Sequence, residues 1–189
     1  MSKKNINPWV TNTSKIVYSN PWISVREDQV TTPSGNPGIY GVVETRPAVG
    51  IIALTPEFEI YIVGQFRYPL DCYSWEIVEG GGEKKEDPIE GAKRELLEET
   101  GITAKKWTQL GEEVHLSNSH SDERAWFFLA EDLSIGVSNP DSTELLEVKK
   151  IPLSNALKMV KEGEMKDSMT IIALSRLETY LNEKKEINY

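Results

Sequence analysis

Glu95, Glu98 and Glu99 stand at i, i+3 and i+4 of the run EGGGEKKEDPIEGAKRELLEETGI, residues 79–102. On a helix that spacing turns all three carboxylates toward one surface. Hard divalent cations take carboxylate oxygens, and Mg²⁺ commonly uses one or two carboxylates together with substrate phosphates. An ion bound there would relieve the repulsion among like charges. Arg94 lies four residues before Glu98 and is spaced to pair with it. From Glu79 to Glu99 the run carries eight acidic side chains against four basic ones, and Gly80, Gly81 and Gly82 precede the helix. A solvated charged face would explain acids in general. It leaves unexplained their bunching on one side and the three glycines, which a metal site accounts for.

The helix that must position these groups is well marked. Asp87 can act as N-cap, Pro88 fits the first turn, and Glu90 completes a variant capping box. Ile89, Ala92 and Leu96 make one apolar face, and Gly101 supplies a left-handed stop. Ahead of it, Ala48–Leu54 and Ile60–Val63 are near-continuous apolar runs, as strands buried on both faces should be. Ser74–Val78 reads as a short strand leading into the glycines, and Trp107–Leu116 and Ala125–Ala130 read as strands after the helix. Glu147–Ile151 reads as a further strand. Ser154 can cap a helix ending near Gly163, and Asp167 can cap the last one, with Met169, Ile172, Leu177 and Leu181 on its inner side.

The N-terminal part differs in character. Residues 1–20 are largely polar and offer Trp9 and Val10 as a strong apolar pair. Trp22–Val30 and Ile39–Glu44 alternate around the turn signal TTPSGNPG, residues 31–38, which predicts a hairpin. A lone hairpin is marginal in water and needs a partner surface. Arg46-Pro47 is a plausible hinge, dividing the chain into a β-rich extension, residues 1–45, and a main domain, residues 46–189.

The chain has 189 residues, 39% hydrophobic and 27% charged, which suits a globular protein with a proper core. No apolar run approaches the roughly 20 residues of a membrane span. The opening MSKKNINPWV lacks the apolar stretch of a secretory signal. One cysteine, Cys72, fits a reducing cytoplasm and reads as a half-buried thiol rather than a nucleophile. The net charge of −9 argues against a nucleic-acid partner. An acidic protein that handles phosphates must bring cations to its site, which agrees with the glutamate cluster.

These residues resemble the signature of the Nudix hydrolases, G-x5-E-x7-R-E-U-x-E-E-x-G-U with U a bulky aliphatic. Gly80, Glu86, Arg94, Glu95, Leu96, Glu98, Glu99, Gly101 and Ile102 fill every defined position. The flanks resemble the branch that cleaves ADP-ribose and other nucleoside diphosphate sugars. That resemblance implies an α/β fold, a Nudix-type α/β/α sandwich with a mixed central sheet, and an N-terminal sheet that packs across a homodimer. It implies a pyrophosphatase yielding a nucleoside monophosphate and a sugar phosphate. Mg²⁺ or Mn²⁺ would be held by Glu95, Glu98, Glu99 and the backbone carbonyl at Glu79, with Arg94 orienting the glutamates. Glu144 matches the family's catalytic acid on a loop, so the resemblance makes it the general base, with Glu98 as the alternative.

Arg67 would contact a substrate phosphate, since arginine favours bidentate contact with phosphate oxygens; by residue type alone a surface ion pair serves as well. Trp22 and Tyr40 are candidates for stacking on the base, or else simply pack as hydrophobic residues. Two departures stand out. Many relatives carry Ala or Pro where this chain has Glu79, and the loop SNSHSDE, residues 117–123, has Asn118 and Ser119 where typical ADP-ribose cleavers have Pro and Gly. Other substrates (a dinucleoside polyphosphate, a nucleoside triphosphate, coenzyme A) and a non-catalytic ADP-ribose sensor remain alternatives.

Three other constellations fail on spacing. Ser117, His120 and Asp122 crowd into one loop, whereas triad members must orient one another in space. His115 and His120 are too few for zinc. No Gly-Lys-Ser/Thr follows the glycines, which excludes a Walker motif.

Overall fold

The structure is a computed structural model that describes residues 6–83, 85–136 and 145–187, with side chains to residue 184. Two compact units divide it: residues up to Arg46 together with Ser117–Glu123, and Pro47–Leu116 together with Arg124 onward.

The first unit is an antiparallel sheet of β1 (Val10–Ser19), β2 (Ser24–Thr31) and β3 (Pro37–Glu44), in that spatial order. The expected hairpin is β2–β3, with Ser24 opposite Glu44 and Thr31 opposite Pro37. The strand β1 departs from the reading of residues 1–20. Its sequence, VTNTSKIVYS, is exposed along its whole length, so no buried face marks it, and it is held by pairing with β2 through two register shifts. The segment Ser117–Glu123 is tied to β3: Val43 N–H donates to the His120 carbonyl at 2.8 Å, and Thr45 N–H to Asp122 Oδ1 at 3.0 Å.

The second unit comprises, in chain order, β4 (Ala48–Ala53), β5 (Glu59–Arg67), β6 (Cys72–Glu76), β7 (Val78–Gly81), α1 (Pro88–Thr100), β8 (Ile102–Gln109), β9 (Val114–His115), β10 (Arg124–Ile135), β11 (Glu147–Pro152), α2 (Leu153–Glu162) and α3 (Ser168–Ile187). One sheet runs β7-β4-β10-β8, with β9 also on β10; β4 and β10 are parallel and the other pairs antiparallel, so the sheet is mixed. A second, antiparallel sheet runs β11-β5-β6.

Alternation along β4 explains why its whole run is apolar. Val49, Ile51 and Ala53 pack with Ala92 and Leu96 of α1. Ala48, Ile52 and Leu54 pack into the opposite core with Ala156 of α2 and Ala173, Leu174 and Leu177 of α3. Helices therefore cover both faces, which is the expected α/β/α sandwich. Two boundaries depart from the sequence reading. β8 begins at Ile102, directly after the helix stop, and ends at Gln109. The N-cap of α2 is Pro152 without a side-chain cap bond, and Ser154 lies inside the helix. Asp167 does cap α3, accepting from Thr170 N–H at 2.6 Å.

Candidate active site

Helix α1 forms where the caps put it. Asp87 accepts from Ile89 N–H at 3.2 Å, and Gly101 at φ 72° returns its N–H to Leu97 O. Glu90 does not complete the box as expected; Lys93, one turn on, donates to its carboxylate at 2.7 Å. With Ala92 and Leu96 buried against the sheet, Arg94 and Glu98 come to the exposed flank of the helix, and Glu95 turns toward β7.

Arg94 gathers this surface. Its Nη1 donates to Glu95 Oε1 at 2.6 Å and Glu98 Oε2 at 3.1 Å, and its Nη2 to Glu86 Oε2 at 3.1 Å and to the Gly81 carbonyl at 3.0 Å. The pairing with Glu98 follows the spacing; the contacts with Glu86, Glu95 and Gly81 do not show in it. The Glu86 hydrogen bond, followed by those to Glu95 and Glu98, pushes the guanidinium's pKa up. The same contact holds the Glu86 carboxyl below its ordinary value. The three motif glutamates differ in environment: Glu99 is buried, the Glu95 side chain is 13% exposed and that of Glu98 45%.

Gly80 explains the first motif position. A Cβ built there would lie 2.2 Å from the Glu95 carboxyl carbon and 2.3 Å from Glu95 Oε2, so the carboxylate occupies the space a side chain would fill. A carboxylate is thus pressed against the backbone of β7 at Gly80. Carboxylates with a backbone carbonyl are a hard oxygen donor set suited to Mg²⁺ or Mn²⁺. The donor types suit such an ion, but among the described residues the motif glutamates do not themselves bring three carboxylate oxygens within 4.8 Å of one another.

A second cluster adjoins it and was not anticipated. Among the described residues, Glu76, Glu79 and Asp167 bring ligand-type oxygens within 4.8 Å of one another. Arg67 is among them: Nε donates to Glu76 Oε1 at 3.0 Å and Oε2 at 3.1 Å, and Nη2 reaches Glu76 Oε2 and Glu79 Oε1, each at 2.5 Å. Arg67 therefore makes an ion pair, as its residue type allowed, but with Glu76 only 2% exposed it is not a surface one. Burial first, then the charges of Asp167 and Glu76, push the Glu79 carboxyl well above its ordinary range, against the pull of Arg67. Glu79 Oε2 is buried with no hydrogen-bond partner.

Trp22 and Tyr40 belong to the first unit. Trp22 is 69% exposed, whereas Tyr40 packs edge-on to Trp9 at 5.4 Å and donates its hydroxyl to the Ser119 carbonyl at 2.7 Å. Glu144 and its neighbour Asp141 lie outside the described residues. Glu147, the third acid of that stretch, accepts from the Tyr73 hydroxyl at 3.1 Å. Cys72, expected half-buried, is exposed near the tip of the β5–β6 hairpin. His120 is held between Ser117 Oγ and Ser119 Oγ, both at 3.1 Å.

Known proteins agree with this architecture. The NUDIX domain family matches residues 44–170, and the nucleoside diphosphate sugar hydrolase N-terminal domain matches residues 9–43. An ADP-ribose pyrophosphatase of Bacillus subtilis (strain 168) is 37% identical over 164 residues, covering 86% of this chain and 88% of that protein. A methanol dehydrogenase activator of Bacillus methanolicus is 33% identical over 164 residues, with the same shares, 86% and 88%. The crystal structure of an ADP compounds hydrolase matches with a TM-score of 0.84 over 96% of this chain and 98% of that one, and at 20% identity it bears on the fold alone. The motif without a gap, the mixed sheet between helices and the family match over most of its length place this chain in the Nudix hydrolase family.

Proposed function

We infer that the protein is a Mg²⁺-dependent pyrophosphatase that hydrolyses a nucleoside diphosphate sugar, ADP-ribose foremost, to a nucleoside monophosphate and a sugar phosphate. The observation that carries this is the Glu95 carboxylate, lodged where Gly80 lacks a side chain and tied with Glu98 to Arg94. The relatives named for ADP-ribose pyrophosphatase activity, and the match of the N-terminal residues to a nucleoside diphosphate sugar hydrolase domain, support the substrate class.

Glu95, Glu98 and Glu99, with the carbonyl of Glu79, would hold Mg²⁺ or Mn²⁺. Such an ion, when bound, neutralises phosphate charge and makes water a better nucleophile. Arg94 keeps the carboxylates in place, so its loss acts through them. Arg67 binds a phosphate of the substrate. Glu144 takes the proton of the attacking water as the P–O bond to the leaving phosphate breaks, a role worth about 10²–10⁴-fold. Trp22 and Tyr40 would stack on the base in the partner copy's substrate pocket.

The extension, residues 1–45, pairs with a second copy to form a homodimer. The exposure of Val10, Ile16, Val17, Tyr18 and Ile39 on the N-terminal sheet, and of Trp22 in the β1–β2 connection, supports this. The single cysteine and acidic balance support work in the cytoplasm, apart from nucleic acid and membranes. Among the described residues no helix is long and apolar enough to cross a membrane.

The test is a hydrolysis screen of ADP-ribose, GDP-mannose, UDP-glucose and dinucleoside polyphosphates with Mg²⁺ and with Mn²⁺. Preference for ADP-ribose supports the reading. Turnover confined to a dinucleoside polyphosphate would reassign the substrate, and ADP-ribose binding without turnover would make the protein a sensor.

A further inference from the structure

Arg67 has two edges that can meet a pair of oxygens, and they are not equally free. The Nε–Nη2 edge is taken by Glu76, whose carboxylate receives both nitrogens. The other edge, Nη1–Nη2, is the one a phosphate could grip with two oxygens. Half of it is closed, because the second N–H of Nη2 goes to Glu79 Oε1 at 2.5 Å. Nη1 makes no hydrogen bond among the described residues, and the Arg67 side chain is 35% exposed. As the structure stands, Nη1 is left to a phosphate oxygen while Nη2 is not, so both nitrogens of that edge cannot be shared by one phosphate.

Of the three clustered carboxylates, Glu79 is the least firmly seated. Glu76 is gripped by Arg67 on both oxygens and is nearly inaccessible. Asp167 is fastened as the N-cap of α3. Glu79 holds Arg67 through one oxygen, its other oxygen is buried and receives no N–H, and its carboxyl meets the carboxyl of Asp167 with Glu76 also close by. An unsatisfied buried acceptor and like-charge neighbours both weaken its hold.

We propose that the Glu79 carboxylate is a displaceable occupant of Arg67, competing with the substrate phosphate for the Nη1–Nη2 edge and so setting substrate affinity. This rests on the reading of Arg67 as the phosphate-binding residue and deepens it. The backbone carbonyl of Glu79 is a separate matter, since any residue at 79 retains it.

The test is calorimetric titration of a non-hydrolysable α,β-methylene analogue of ADP-ribose, with Mg²⁺, into wild type, Glu79→Ala, Glu79→Gln, Arg67→Ala and the double variant Glu79→Ala/Arg67→Ala. Thermal unfolding establishes that each is folded. Glu79→Ala should bind about tenfold tighter, the equivalent of about 1.4 kcal/mol or one added charge-assisted hydrogen bond. Glu79→Gln should fall between, because its amide oxygen still accepts from Nη2 but carries no charge. In the Arg67→Ala background, Glu79→Ala should change affinity by less than about twofold.

Unchanged or weaker binding by both folded Glu79 variants overturns the proposal while leaving the substrate class intact. A gain that persists without Arg67 also overturns it, since the effect would then be bulk charge. If Arg67→Ala binds as well as wild type, the reading of Arg67 fails and the proposal with it. If no protein binds the analogue, the proposed function itself fails.

Discussion

At Gly80 the missing side chain is the function of the residue. Gly80→Ala would drive a methyl into the Glu95 carboxylate, the far end of a flexible side chain that can swing away. The cost should therefore appear in metal affinity more than in stability. We expect Mg²⁺ affinity to fall about tenfold or more while the unfolding free energy changes by less than about 1 kcal/mol, measured by Mg²⁺ titration and urea unfolding. Its neighbour Glu79 gives the opposite signature. The folded chain holds this carboxyl well above 4.5, chiefly through burial. Such a group contributes stability that is complete below about pH 4.5 and is lost as pH rises through the raised value. Glu79→Gln should thus melt higher than wild type at neutral pH, with the advantage disappearing as pH falls toward 4.5. Equal melting temperatures across the series would mean that the buried carboxyl ionises without penalty.

At the scale of elements, α3 is joined to the site by one buried hydrogen bond. Thr170 is fully buried and accepts from Ile77 N–H at 3.1 Å, fixing the N-terminus of α3 beside the β6–β7 junction that carries Glu76 and Glu79. Thr170→Val keeps the shape but orphans that N–H, and should cost about 1–3 kcal/mol in urea unfolding. A smaller loss would mean the amide finds another acceptor. The same contrast governs what could be read from the sequence. Helix α1 was legible because its caps, apolar face and glycine stop are local and agree with one another. β4 and β5 were legible because burial on both faces leaves an unbroken apolar run. β1 was not, since a strand exposed along its length carries no burial pattern and owes its existence to a partner. Within the site, Arg94 with Glu98 follows from helical spacing. Asp167 could not be placed, because what brings it to Glu79 is the packing of α3 against the sheet, and Glu76 joins Glu79 through Arg67, which arrives from β5.

For the whole molecule, the N-terminal sheet leaves Ile16, Val17, Tyr18 and Ile39 half or more exposed, and the β1–β2 connection does the same for Trp22. Such apolar surface is characteristic of an interface. Light scattering at micromolar concentration should give the mass of a dimer, and a monomer would count against the pairing of two copies. A chain starting at Arg46 should lose substrate affinity more than metal affinity if the extension contributes to binding the base. The cleavage itself is read by product analysis with phosphorus NMR of ADP-ribose incubated with the protein. In Mg²⁺ the two pyrophosphate resonances should give way to those of AMP and ribose 5-phosphate, with conversion abolished by EDTA and reduced about 10²-fold or more in Glu98→Gln. Undiminished conversion in EDTA, or near wild-type conversion by folded Glu98→Gln at low Mg²⁺, would contradict the account.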